Sequence, residues 1–120
     1  MIWTLFKRKK ANRALVGQQY DSLTEAARSP VFYEAMDVPD TVMGRFEMIS
    51  VHLFLYLRRT ASSGPAAKGI SQDIVDAFFE DVDYSIRELG VGDPSVPKRM
   101  KKFARMFYGR AKSYGQALDD

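Results

Sequence analysis

The chain contains no cysteine and only one histidine. The first absence excludes a disulfide framework, a zinc ribbon, an iron–sulfur site and a thiol nucleophile, and a lone histidine builds no multi-histidine metal site. Missing thiols also suit a reducing compartment. No apolar run approaches the ~20 residues that a membrane-spanning helix needs. At the N-terminus, apolar Met1 to Phe6 precede the cations Lys7, Arg8, Lys9 and Lys10, the reverse of the order in a secretory signal. The expectation is therefore a cytoplasmic chain. Nor does any stretch alternate apolar and polar residues long enough to make a strand, which leaves helices as the means of burying a core.

What is present fits a single domain. The 120 residues, 46% of them hydrophobic, are enough to bury roughly two-thirds of the surface exposed by the unfolded chain. Net charge is only +3, but it is segregated. Lys7 to Lys10 with Arg13 form a basic head. Lys98, Arg99, Lys101, Lys102, Arg105, Arg110 and Lys112 fall in a stretch with no acid. Between them, Asp73, Asp76, Glu80, Asp81, Asp83 and Glu88 face only Arg87. Blocks of this kind bear on partners and encounter rates, not on fold.

Apolar spacing predicts a helix from Ala11 to Arg28, weakened by Gly17, and a short helical piece from Ser29-Pro30 to Met36. Asp37-Val38-Pro39-Asp40 breaks the chain, and Asp40 is placed to cap a long helix from Thr41 to about Thr60. Val42, Phe46, Ile49, Leu53 and Leu57 line one side of that helix; Met48, Val51 and Leu55 line another. It is apolar around most of its circumference, which marks a central core helix or one with a face kept for a partner. Residues 61–69 read as a flexible loop. Ser71 is placed to cap a helix that Gly90 ends, with Ile74, Phe78, Val82 and Ile86 as its stripe. Ser95 is placed to cap the last helix, with Val96, Met100, Phe103, Phe107 and Tyr114 inward. The predicted fold is all-α: a single compact bundle of four main helices plus a short one over residues 11–120. Residues 1–10 form a separate basic and apolar segment.

Three groups of residues stand out chemically. The surplus apolar face of the 41–60 helix (Met48, Val51, Leu55) and neighbouring Phe32, Tyr33 and Met36 are expected to bind an apolar partner, because large exposed apolar patches mark interaction surfaces. Trp3 and Phe6 beside Lys7, Arg8, Lys9 and Lys10 suit a water–lipid interface, with a disordered basic tail as the equal alternative. For the cations from Lys98 to Lys112, notably Lys98, Arg99, Lys101, Lys102 and Arg105, two readings stand side by side. They contact anionic lipid or nucleic-acid phosphate, or they complement the acidic helix before them. Arg45, His52, Asp81, Asp83 and Arg87 read as a structural polar network, with an acid facing His52. No residue set calls for a cofactor, a metal ion or a catalytic centre; Gly90-Val91-Gly92-Asp93 lacks the strand and the Gly-Lys-Ser/Thr ending of a phosphate loop.

Several segments resemble one family. They are Arg45-Phe46, His52-Leu53, Leu57-Arg58-Arg59, Phe78-Phe79-Glu80-Asp81-Val82-Asp83, the run from Arg87 through Gly90-Val91-Gly92-Asp93-Pro94 to Arg99, and Phe107-Tyr108-Gly109-Arg110. Together, from about Ser22 to Leu118, they look like the ubiquinol–cytochrome c chaperones, assembly factors of the cytochrome bc1 complex that include small bacterial members. The resemblance implies an all-helical chaperone. Its membrane-protein client would be cytochrome b or a relative, held before complex assembly, with the ribosome as a further partner of mitochondrial members. No catalytic residue carries over. Such a protein is expected to work peripherally on the cytoplasmic face of the inner membrane; the alternative from the residues alone is a ribosome- or RNA-binding module using residues 98–112.

Overall fold

The structure, a computed structural model, describes the backbone of residues 2–90 and 92–119 and the side chains of residues 12–90, 92 and 94–119. It is all-α, with no strand among the described residues. Four long helices and one short one follow in order: α1 (Ile2–Ala27), α2 (Pro30–Glu34), α3 (Val42–Thr60), α4 (Pro65–Glu88) and α5 (Val96–Asp119), the last entered through a 3-10 turn at Asp93–Ser95. The chain divides into two compact units within α4, Met1–Phe78 and Phe79–Asp120.

Three boundaries differ from expectation, each for a local reason. Helix α1 begins at Ile2 instead of Ala11, since residues 2–10 hold neither Gly nor Pro and are rich in good helix formers. Helix α3 is capped by Thr41, whose hydroxyl accepts the Gly44 N–H at 3.0 Å, and Asp40 instead pairs with Arg45 at 3.0 Å. Helix α4 starts at Pro65, well before Ser71, so the loop shrinks to residues 61–64. Gly64 takes the left-handed φ of 99° that turns the chain, and proline is preorganised for a first helical position. Ser71 is no cap: it is buried inside α4, and its hydroxyl lies 3.0 Å from that of Thr60.

The first unit is built on α3. Phe46, Ile49, Leu53 and Phe54 of α3 are buried, as are Ile74, Val75 and Phe78 of α4. Phe46 meets Phe78 edge to face with ring centroids 6.0 Å apart. With the Thr60–Ser71 contact at the other end, that pairing makes α3 and the start of α4 an antiparallel helical hairpin. Helix α1 packs on α3, and its C-terminal carbonyl at Ala27 accepts the Tyr33 hydroxyl at 3.2 Å, satisfying a group the helix itself leaves open. Each fully buried Leu, Ile or Phe adds on the order of 1.5–3 kcal/mol. Ser50, buried among them, returns its hydroxyl to the Phe46 carbonyl at 2.7 Å.

The second unit has an aromatic centre. Phe79 is 6.0 Å from Phe103 and 5.6 Å from Phe107 in ring-centroid distance, near perpendicular to both, the geometry the ring quadrupoles favour. Val96, Phe103 and Phe107 are the buried stripe of α5. Gly90, with φ 82°, turns the chain after α4 as the sequence leads one to expect.

Candidate functional site

Between α2 and α3 the chain crosses an irregular stretch whose geometry creates a surface groove. Asp37 holds a left-handed φ of 57°, which Asp tolerates better than most residues. The turn is closed by the Val38 N–H donating to the Phe32 carbonyl at 3.1 Å. Residues Val38 and Pro39 then run beside the first turns of α3 at Gly44, which has no side chain to hold them off. A Cβ on Gly44 would collide with the Pro39 carbonyl oxygen.

This approach leaves a groove of about 470 Å³, lined by Asp37, Val38, Pro39 and Thr41 ahead of α3 and by Met43, Glu47, Met48 and Val51 of α3 itself. Met43 is 51% exposed, and Leu55, one turn beyond Val51, is 48% exposed. Met48, Val51 and Leu55 follow spacings of 3 and 4, so they share one side of the helix. The opposite side holds Phe46, Ile49 and Leu53 in the core. A second, polar recess of about 360 Å³ is lined by Arg28, Pro30, Tyr33, Glu34, Asp40 and Arg45.

The six residues expected to bind an apolar partner are therefore not gathered into one place. Met48 and Val51 line the apolar groove. Tyr33 lines the polar recess. Phe32 is half-buried, its ring edge-on to His52 at 5.5 Å, and Met36 is 62% exposed on the loop after α2. Val38, Pro39, Met43 and Gly44 complete the groove and escape a reading by helical stripes. Three lie outside any periodic apolar pattern, and Gly44 acts by having no side chain.

Several polar residues have partners nearby in the chain. Arg45 pairs with Asp40 at 3.0 Å, both side chains more than half exposed, and such pairs contribute little. His52 Nδ1 lies 2.8 Å from the Met48 carbonyl oxygen; among the described residues that contact and the Phe32 ring, not an acid, are its partners. Arg87 pairs with Asp83 one turn earlier, at 2.9 Å. Asp81 is half-buried. Tyr84 hydrogen-bonds Glu88, and that bond together with the carboxylate charge raises the phenol pKa above its ordinary value. Lys98, Arg99, Lys101, Lys102 and Arg105 are exposed on α5. The side chains of Trp3, Phe6, Lys7, Arg8, Lys9 and Lys10 lie outside the described residues. Among the described residues no cluster of acids and histidine is fit to hold a metal ion, and no helix is long and apolar enough to cross a membrane.

These features define an all-helical domain that offers an open, methionine-lined groove. The chain belongs to the ubiquinol-cytochrome C chaperone family, whose family model matches residues 34–120. Over 101 residues it is 24% identical to the ubiquinol-cytochrome-c reductase complex assembly factor 1 of Xenopus laevis, covering 84% of this chain and 50% of that protein. The mouse protein of the same description is 26% identical over 101 residues, 84% of this chain and 34% of its own length. The chain thus spans half or less of these animal relatives. The crystal structure of the Cbp3 homolog from Brucella abortus is 56% identical and superposes with a TM-score of 0.87, covering 99% of this chain and 66% of that one.

Proposed function

We propose that this protein is an assembly chaperone of the cytochrome bc1 complex. In this reading it holds an apolar helical segment of a membrane-protein client, cytochrome b, in the Met43–Met48–Val51 groove, at the cytoplasmic face of the inner membrane. Its work there is to hold, with no bond made or broken. The observation that carries the reading is the groove itself. Large exposed apolar patches mark interaction surfaces, and here half-exposed Met43 shares one concavity with half-buried Met48 and Val51 of α3. Methionine suits the task, being unbranched and polarisable and so able to repack around different side chains. An amphipathic or apolar segment would enter as helix-in-groove partners do, through anchors at i, i+3 or i+4, and i+7. Family membership and the assembly-factor relatives supply the complex on which it would act.

The test is affinity capture from detergent-solubilised membranes with the wild-type chain and a Met43→Glu/Val51→Glu variant. The wild type is expected to recover cytochrome b, and the variant at least about tenfold less, since burying an unpaired charge is costly, with an unchanged far-ultraviolet circular dichroism spectrum. Equal recovery by a folded variant would remove the groove from the mechanism. Recovery of ribosomal components alone would favour an RNA- or ribosome-binding module.

A further inference from the structure

Five of the seven cations between Lys98 and Lys112 share one side of helix α5. At 100° per residue, Lys98, Lys101, Lys102, Arg105, Tyr108 and Lys112 fall within about a third of the circumference, opposite buried Phe103 and Phe107. All six are exposed, Tyr108 by 57%. The row extends about 21 Å along the axis, at 1.5 Å per residue. Three acids of α4 bond along their own helix. Asp76 accepts from Gln72, Asp83 pairs with Arg87, and Glu88 bonds Tyr84, all on their own helix. The five cations of the row make no hydrogen bond or ion pair among the described residues.

We propose that this face of α5 docks the protein on an anionic lipid bilayer, with Tyr108 at the level of the headgroups. The inference is independent of what fills the groove in the first unit. Three features favour lipid over nucleic acid. Four of the five cations are lysines, hydrated point charges suited to a diffuse anionic plane, where arginine forks would suit fixed phosphates. Single-stranded nucleic acid is gripped in basic grooves by several stacking aromatics. This face is the convex side of one helix, and its neighbouring rings Phe103 and Phe107 are buried. Tyrosine is also enriched where one end of a side chain meets apolar chains and the other meets water. A row of this length lies flat on a surface without inserting, so the attachment is reversible and salt-sensitive.

Sedimentation of the full chain with vesicles tests it. Binding is expected to mixed phosphatidylglycerol–phosphatidylcholine vesicles at low salt and not to pure phosphatidylcholine. Each cation near an anionic surface is worth about fivefold in partitioning, so Lys101→Gln/Arg105→Gln/Lys112→Gln should bind roughly 100-fold more weakly. A Lys7→Gln/Arg8→Gln/Lys9→Gln/Lys10→Gln variant, measured in parallel, separates the basic head from α5. If the α5 variant binds like wild type, or wild type binds neither vesicle, the proposal fails. It fails equally if wild type binds single-stranded oligouridylate but no vesicle.

Discussion

Helices α3 and α5 solve opposite problems with similar lengths. Helix α5 has one apolar stripe and spends it on the core of its unit, so its remaining surface is charged. Helix α3 has more apolar residues than its core side can take. Phe46, Ile49, Leu53 and Phe54 are buried, while Met43 and Leu55 remain about half exposed. A helix of the α5 kind needs no partner to cover its apolar stripe. A helix of the α3 kind leaves apolar side chains at the surface, available to an apolar partner. In the proposed readings the first surface binds through burial and the second through charge, and their responses to salt should separate in the same way.

Substitutions can break this contrast, beginning with the largest effect. Leu53→Ala on the core side of α3 empties a fully buried site and is expected to cost about 2–5 kcal/mol, measured from the urea midpoint. An exposed-side change such as Leu55→Ala should cost well under 1 kcal/mol, and equal losses would show that α3 has no reserved face. Gly44→Ala sharpens the contrast by acting on both sides together. The added methyl must push the Pro39 backbone away, for a loss of about 1–3 kcal/mol and a change in groove binding that Leu55→Ala does not share. The smallest effect belongs to Arg45→Ala. It removes a pair more than half exposed and is expected to shift stability by less than about 1 kcal/mol by denaturant titration.

The helices were legible because their signals are local and repeated. The stripe of α5, the apolar girth of α3 and the stop at Gly90 all follow from spacing and from glycine's freedom at positive φ. Boundaries misled where two residue types competed for one role. Thr41 takes the cap that Asp40 is equally able to fill, because Asp40 is also within reach of Arg45. Ser71 has the chemistry of a cap, but Pro65 starts the helix earlier, and Ser71 serves as a buried tie to Thr60 instead. Half of the groove was legible too, since Met48 and Val51 lie on a visible stripe. Its other wall was not. Val38 and Pro39 belong to no repeating pattern, and their position depends on a turn at Asp37 and a gap at Gly44 that sequence spacing does not encode.

That gap has a consequence for how such a groove changes over time. One of its walls rests against bare backbone, not against interlocked side chains, so its breadth is governed by a single missing carbon at position 44. Replacing that hydrogen would alter what the cleft admits while leaving every helix intact. A protein arranged in this way can have its grip retuned at one codon without rebuilding its scaffold.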